Sequence, residues 1–197
     1  MTDSGKRATP RQVRSTQTLQ SILDAADQVF AEQSVDSVTT TMIAKQAGVS
    51  VGALYRFFDD KTAIAIGLTE RYSAELVDQV LEVELLLQDR GMDAMPEAMT
   101  MVIDGMADLC KARPGYFSVM RHLRNNELYE VQLDTLAHWF EFAPKTLPLA
   151  ERRELALFVS EVTRALLERA PARGAARRKH LDEMVALLMP YIISRLT

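Results

Sequence analysis

The most informative stretch of this 197-residue chain is TTTMIAKQAGVSVGALY, residues 39–55. Thr39 or Thr40 can cap a short helix, because a threonine side chain accepts a hydrogen bond from an unpaired N–H group at a helix start. Gly48 can end that helix in the left-handed conformation, and Ser50 can cap the next one. Two short helices joined by a tight turn with a glycine are typical of a helix-turn-helix, whose second helix enters the major groove of DNA.

The side chains around this turn suit two helices that cross closely. Ala44 and Ala47 are small enough for a close approach, and Leu54 completes the contact between the helices. On the outer side of the second helix of the motif, small side chains let the backbone approach base edges. The residues expected on this outer side are Ser50, Val51, Gly52, Ala53, Tyr55 and Arg56.

Helical periodicity continues on both sides of the motif, and the sequence predicts an all-α fold of about nine helices. No segment alternates apolar and polar residues between hairpin turns, so no strand is expected. Pro190 should bend or end the last helix, because proline has no N–H group to donate. The predicted helices cover about 14–33, 40–47, 51–57, a long stretch from 61 past 87, a stretch that includes 95–109, then 116–123, 128–143, 150–169 and 177–193.

Three parts are predicted along the chain. Residues 1–13 form a polar and basic tail that we expect to be disordered. Residues 14–62 form a three-helix helix-turn-helix domain, and residues 63–197 form a larger helical domain. The N-terminus has no apolar segment of a secretory signal, and no apolar run approaches the roughly 20 residues that span a bilayer. The expected location is therefore the cytoplasm, without membrane contact.

The charge distribution of the chain is compatible with binding to nucleic acid but does not by itself indicate it. The net charge is −4, and residues 1–62 hold seven basic and seven acidic side chains, so the excess of acid lies in the rest of the chain. DNA binding requires a local cluster of positive charge and amide donors rather than a basic total. The basic side chains of the tail could reach a minor groove, with plain disorder as the alternative; they are Lys6, Arg7, Arg11 and Arg14.

An enzyme is disfavoured by the absence of the usual catalytic motifs. The sequence has no G-x-S-x-G, no phosphate-binding loop and no H-E-x-x-H, and it contains three histidines and one cysteine. Cys110 alone forms neither an internal disulfide nor a cysteine-cluster metal site, and it is either a packed small side chain or a redox sensor. We therefore expect no metal and no cofactor. A helical adaptor, in which the motif is incidental core packing, remains an alternative.

The motif resembles the DNA-binding domain of the TetR family of transcriptional regulators. The family pattern is T-x-x-x-I-A-x-x-A-G-V-S-x-G-x-L-Y-x-x-F-x-x-K, and this chain matches it without a gap from Thr39 to Lys61. Phe57 departs from the pattern, because the family often has histidine or tyrosine there. The match covers about a quarter of the chain, and the remainder agrees only in architecture. The matched residues are Thr39, Ile43, Ala44, Ala47, Gly48, Val49, Ser50, Gly52, Leu54, Tyr55, Phe58 and Lys61.

The resemblance implies a set of DNA contacts. Tyr55 and Lys61 would contact phosphates, with help from Thr39 or Thr40. A lysine in the first turn opposes the helix dipole, which makes sense if a phosphate docks at that helix start; a solvated surface lysine is the alternative, as is a core position for Tyr55. The residues that would face base edges or flanking phosphates are Ser50, Val51, Gly52, Ala53 and Arg56.

The resemblance also implies a homodimer with a cavity for a small, largely apolar effector, and most often a repressor that leaves a pseudo-palindromic operator when the effector binds. Core packing alone predicts similar stripes and a similar composition. The expected dimer interface consists of Leu155, Phe158, Val159, Val162, Leu166, Leu181, Met184, Val185, Leu188 and Ile192. The expected cavity residues are Met99, Val102, Met106, Phe117, Met120, His122, Leu136, Trp139 and Phe140.

Overall fold

A computed structural model of the chain describes residues 10–124, 127–143, 145 and 147–197. Within these ranges the regular elements are nine α-helices and three short 3-10 segments, with no strand, so the predicted all-α class is confirmed. The helices are α1 (Pro10–Glu32), α2 (Thr40–Gln46), α3 (Val51–Leu54), α4 (Lys61–Arg90), α5 (Met95–Ala112), α6 (Tyr116–His122), α7 (Glu127–Trp139), α8 (Leu149–Leu167) and α9 (Gly174–Leu196).

Helices α1 to α3, residues 10–60 with their connections, form a small unit that we call the reading head. The Thr39 side chain accepts a hydrogen bond from the Met42 N–H at 3.3 Å, and the Ser50 side chain accepts one from the Ala53 N–H at 3.1 Å. Gly48 has a φ of 67°, a conformation that residues with a Cβ adopt at a cost. The predicted caps and turn of the helix-turn-helix are therefore confirmed.

Helices α4 to α9 form a larger unit that we call the helical body. Arg113 on the loop after α5 pairs with Glu75 on α4 at 2.6 Å, because α4 and α5 run antiparallel. Helices α7 and α8 are also antiparallel, since Arg153 near the start of α8 pairs with Asp134 of α7 at 2.6 Å, while Arg124 before α7 pairs with Glu161 late in α8. The buried apolar side chains of both units form one continuous core, and α4 extends from the reading head into the helical body.

Several helix ends differ from the sequence prediction. Helix α1 begins at Pro10 rather than near residue 14, since proline is well suited to the first position of a helix. Residues 1–9 of the predicted tail, with Lys6 and Arg7, lie outside the described residues. Helix α3 ends at Leu54, three residues earlier than predicted. Helix α9 continues past Pro190 to Leu196, because the buried Ile192 holds its last turns against the core.

The helices of the body are amphipathic rather than apolar on all sides. Across the part of the chain that the structure describes, no helix is both long enough and apolar enough to cross a membrane.

Candidate nucleic-acid interface and internal cavity

Helix α3 presents the outer surface that the sequence predicts. Leu54 is fully buried and anchors the helix to the reading head, whereas Gly52 and Arg56 are exposed. Val51 and Ala53 are half-buried, and the N-cap residue Ser50 is exposed. The surface is therefore free for another molecule along one whole side of this short helix.

Tyr55 lies on the surface, so the alternative of a core aromatic is wrong. Half of this residue is exposed, at 50 %. Its hydroxyl lies 3.0 Å from Thr40 Oγ1, which links the end of α3 to the first residue of α2. A phenol and a threonine hydroxyl held side by side form a small polar site at the edge of the reading head.

Lys61 is the first residue of α4, and its ammonium already has one partner within the chain. Lys61 Nζ donates to the backbone oxygen of Asp36 at 2.5 Å, which leaves two of its three N–H groups for another acceptor. The N–H group of Ala63 is not free, because the Asp60 carboxylate caps it at 2.7 Å. One of the N–H groups that a phosphate could meet at this helix start is therefore already bonded to Asp60.

An internal cavity of about 290 Å³ lies between helices α4 and α8 of the helical body. Its wall is mostly apolar, as is usual for a site that binds small molecules. Seven of the nine predicted residues line it: Met99, Val102, Met106, Phe117, Met120, Leu136 and Trp139. The sequence did not identify the other lining residues, which are Tyr72, Ser73, Leu76, Gln79, Val80, Tyr116, Val131, Gln132, Thr135, Val159, Ser160, Thr163, Arg164 and Leu167.

Two of the predicted cavity residues lie elsewhere. Phe140 is buried in the core within a 3-10 segment, outside the cavity wall. His122 ends α6 and faces the reading head, where its Nδ1 lies 3.0 Å from an Asp36 carboxylate oxygen. Its Nε2 lies 3.1 Å from the hydroxyl of Thr62, in the first turn of α4. His122 therefore connects the reading head to the helical body instead of lining the cavity.

A second connection between the two units is centred on Asp27, which the sequence analysis did not single out. Asp27 lies on α1 and is only 4 % exposed. Its Oδ1 accepts a hydrogen bond from the Tyr72 hydroxyl at 2.5 Å and another from the Gly115 N–H at 3.2 Å. Burial raises the pKa of the Asp27 carboxyl, and these two hydrogen bonds oppose the rise. An aspartate within the apolar stripe of α1, between Ala26 and Phe30, was the available signal.

Most of the predicted dimer interface belongs to the core of the single chain. The fully buried members of that set are Leu155, Val159, Leu181, Met184, Leu188 and Ile192. Because they already pack inside one protomer, they are not available to a second one, and the prediction is wrong for them. Val162, Leu166 and Val185 are partly buried against the same core, whereas Phe158 is 47 % exposed.

Four exposed apolar side chains of α8 and α9 form what we call the outer face, which consists of Leu157, Phe158, Leu187 and Ile193. Phe158 belongs to the predicted stripe, whereas the other three were not predicted; Leu149, at the first residue of α8, is also exposed but is not included. Leu187 is 60 % exposed, and the Phe158 ring lies 4.6 Å from the ring of Tyr191, which joins the two helices. The ring contact joins the two helices at this surface, where exposed apolar side chains would suit contact with another molecule.

Cys110 behaves as a packing residue. Burial raises the pKa of its thiol to about 12, so the side chain is a neutral thiol at neutral pH. The thiolate is the reactive form of cysteine, and a raised pKa therefore disfavours the role of a redox sensor. The described residues contain no cluster of histidine, cysteine and carboxylate side chains that could hold a metal ion.

A helix-turn-helix with an exposed second helix, joined by one long helix to an all-helical body, defines a DNA-binding regulator. Residues 22–68 match the sequence model of the family described as "Bacterial regulatory proteins, tetR family". The chain belongs to the TetR family of transcriptional regulators. This is a family of DNA-binding proteins and not of enzymes.

Individual relatives support the assignment over different lengths. The chain is 25 % identical over 195 residues to the HTH-type transcriptional regulator AcrR of Shigella flexneri, with 90 % of each chain covered. It is 48 % identical over 50 residues to the transcriptional repressor BepR of Brucella suis, which is 25 % of this chain and 24 % of BepR. The crystal structure of FadR from Bacillus subtilis in complex with stearoyl-CoA superposes with a TM-score of 0.61 at 20 % identity, covering 90 % of this chain and 97 % of FadR.

Proposed function

We propose that the protein is a homodimeric repressor that binds a pseudo-palindromic operator and is released by a small, largely apolar effector. In this proposal residues 14–62 contact DNA, and residues 63–197 form the cavity for the effector and the dimer interface. Its partners are double-stranded DNA, a second copy of the chain and the effector, and its place of action is the cytoplasm. BepR is a transcriptional repressor, and its similarity to this chain supports repression rather than activation.

The observation that carries the proposal is the exposure of Ser50 and Gly52 at the start of α3. Gly52 faces open space, since a Cβ built there would meet no atom within 4 Å. A helix whose exposed side has small residues can bring its backbone close to base edges, while Arg56 reaches a guanine or a phosphate. Tyr55 and Lys61 flank this surface and would contact phosphates on either side, with Thr39 and Thr40 at the start of α2.

Two copies are needed because one short helix makes few base contacts. A two-fold dimer places two recognition helices about one turn of DNA apart, roughly 34–36 Å. The outer face of α8 and α9 supplies an exposed apolar surface for this pairing. The interface proposed here therefore consists of Leu157, Phe158, Leu187 and Ile193, with partly buried Val162, Leu166 and Val185 beside them.

The cavity and the reading head are joined by two connections that could transmit binding. Tyr72 lines the cavity, and its hydroxyl holds Asp27 of α1. Helix α6 lines the cavity with Phe117 and Met120 and holds Asp36 of the reading head through His122. An effector that binds better when α4 and α6 are displaced shifts the dimer toward a form whose reading heads no longer fit the operator. In FadR the bound molecule is stearoyl-CoA, which has a long apolar chain.

A gel shift with the DNA upstream of the protein's own gene tests the proposal, with Lys61→Ala as the informative variant. We expect wild type to bind selectively with a pseudo-palindromic footprint. Lys61→Ala should weaken binding to every sequence and reduce the slope of log K against log salt by about one unit per half-site, because one phosphate contact is lost. Lys145→Ala, at an exposed position in the connection between α7 and α8, is the control and should leave the slope unchanged.

Two results would contradict the proposal at different points. A change in base preference on Lys61→Ala would show that Lys61 does not act through a phosphate. Absence of binding to every upstream fragment would favour the helical adaptor over the regulator.

Gly52→Ala separates DNA contact from stability. The added methyl group meets nothing in the free chain, and alanine favours a helix by up to about 1 kcal/mol over glycine. We therefore expect the melting temperature to stay the same or rise. Operator affinity should fall by about tenfold or more, because the methyl group would lie between the backbone and the bases. Unchanged affinity would show that α3 does not approach DNA at Gly52.

A further inference from the structure

The wall of the cavity contains two buried polar side chains whose hydrogen-bonding atoms have no partner. Within the part of the chain that the structure describes, Trp139 Nε1 and Thr163 Oγ1 make no hydrogen bond. Trp139 is only 7 % exposed and Thr163 only 8 %. Buried polar groups are nearly always paired in native proteins, so two unpaired groups in one cavity wall indicate that a bound molecule supplies the partners.

The two groups lie toward opposite ends of the cavity. Arg152 Nη1 on α8 donates to the backbone oxygen of Ala137 on α7 at 3.3 Å, which places Trp139, two residues further along α7, beside the first turns of α8. Thr163 lies three turns further along α8, roughly 16 Å along the helix axis. The Trp139 side chain shortens this separation because it extends toward the N-terminus of its own helix. A molecule that reaches both groups is therefore elongated along the bundle.

The wall between these ends is mostly apolar and offers no site for a positive charge. Val80, Leu136 and Val159 are among the residues that line it. None of the described lining residues is acidic, and the single charged one is Arg164. The Arg164 guanidinium is paired with the Glu161 carboxylate, so the cavity has little excess charge. Burial of an uncompensated cation in such a cavity is unfavourable.

We propose that the effector is an elongated, mainly apolar molecule with an oxygen atom near each end, one accepting from Trp139 Nε1–H and the other paired with the Thr163 hydroxyl. The indole N–H only donates, so its partner must be an acceptor such as a carbonyl oxygen. The Thr163 hydroxyl can donate or accept, so its partner is a hydroxyl or a carbonyl. This inference rests on the proposed role of the cavity as the effector site.

Four probes that share a ten-carbon chain test the inference: decane, methyl decanoate, methyl ω-hydroxydecanoate and decylamine. Trp139 is the only tryptophan of the chain, so its fluorescence reports directly on occupation of the cavity. We expect affinity to rise from decane to methyl decanoate and again to methyl ω-hydroxydecanoate, by about fivefold to tenfold for each oxygen that gains a partner. Decylamine, which is cationic at neutral pH, should bind no better than decane.

Two variants test whether the increase in affinity comes from the Trp139 and Thr163 side chains. Calorimetry measures the affinities. Thr163→Val keeps the shape of the side chain and should remove about fivefold to tenfold of the affinity for methyl ω-hydroxydecanoate, while the affinity for decane stays the same. Trp139→Phe should remove a similar factor for methyl decanoate. Thr69→Val is the control, because the buried Thr69 hydroxyl already bonds the Ala65 backbone oxygen and lies outside the cavity.

The ligand-free protein provides a further readout. Thr163→Val should leave the melting temperature unchanged or raise it, because it removes a polar atom that has no partner; a clear fall would show that the hydroxyl is bonded within the protein and would overturn the inference. Equal affinity for the decane and ester probes would also overturn it while leaving an apolar effector site intact. If none of the four probes binds, the inference and the proposed effector site fall together, and the DNA-binding proposal is judged separately by the gel shift.

Discussion

Asp27→Ala is expected to lower the free energy of unfolding by about 3 kcal/mol, one of the two largest effects in the molecule. The substitution removes the common acceptor of the Tyr72 hydroxyl and the Gly115 N–H group. Both donors are buried, so each is left without a partner in a space that the carboxylate used to fill. Chemical denaturation followed by circular dichroism measures the change.

Asp27→Asn is the matched variant because its side-chain oxygen can still accept from both donors. The expected loss of stability at neutral pH is therefore small. The comparison also has a defined pH dependence, which follows from the raised pKa of the Asp27 carboxyl. The folded state holds the proton more tightly than the unfolded state, so the contribution of Asp27 is greatest below its usual pKa of 3.8 and declines as the pH rises through the folded value. The free energy of unfolding of Asp27→Asn should therefore increase relative to that of wild type as the pH is raised from about 4 to about 7.

Gly115→Ala tests the same contact from the other side. A Cβ at this position would lie 2.4 Å from the backbone oxygen of Asp27, and a backbone atom in a packed helix moves aside only at a cost. We expect a loss of about 2 kcal/mol or more. If Asp27→Ala and Gly115→Ala both leave the unfolding free energy unchanged, the connection between α1 and the helical body is not held at this contact.

The reading head could be predicted from the sequence because its signals are local. Thr39, Gly48 and Ser50 each act on groups within a few residues of themselves, through a cap or a left-handed turn. The burial of Leu54 and the exposure of Gly52 follow from helical periodicity once the caps are known. Tyr55 could not be placed in this way, because its partner Thr40 lies 15 residues away and the contact depends on how the two helices cross.

The cavity could be predicted only in part, and the proposed interface hardly at all, because both depend on how helices far apart in sequence pack. Met99, Met106 and Trp139 lie on apolar faces that meet inside the helical body. The methionine and tryptophan side chains on those faces were therefore sufficient to predict them as cavity residues. His122 has an equally plausible sequence context, yet the end of α6 turns it toward Asp36. Apolar periodicity identifies the stripe that a helix buries, but it does not say whether the partner is its own chain or a second copy.

This distinction explains why six of the residues predicted for the interface are core residues of the single chain. The most regular apolar stripes of α8 and α9 face α5 and α7 within the same protomer, and they include Leu155 and Leu188. The outer face has fewer apolar residues, among charged ones, and its pattern in the sequence is weak. Leu187 is apparent as an interface candidate only when its 60 % exposure is known.

Leu187→Glu is expected to convert the proposed dimer to a monomer and to reduce operator affinity by about a hundredfold or more. A two-fold interface places two carboxylates in apolar contact at once, where neither has a partner. Loss of pairing also removes the gain that comes from holding two reading heads on one operator. The single chain should remain folded, because the substituted side chain is already exposed.

Sedimentation and gel shift measure the two consequences, and Leu85→Glu is the matched control. Leu85 lies on α4, is 64 % exposed and is not part of the outer face. This variant should therefore sediment as a dimer and bind operator as wild type does. If Leu187→Glu stays dimeric while Leu85→Glu dissociates, α4 supplies the interface and the outer face of α8 and α9 does not. If both stay dimeric and both bind DNA, neither surface joins the protomers, because a glutamate at the centre of a self-complementary apolar contact is not tolerated.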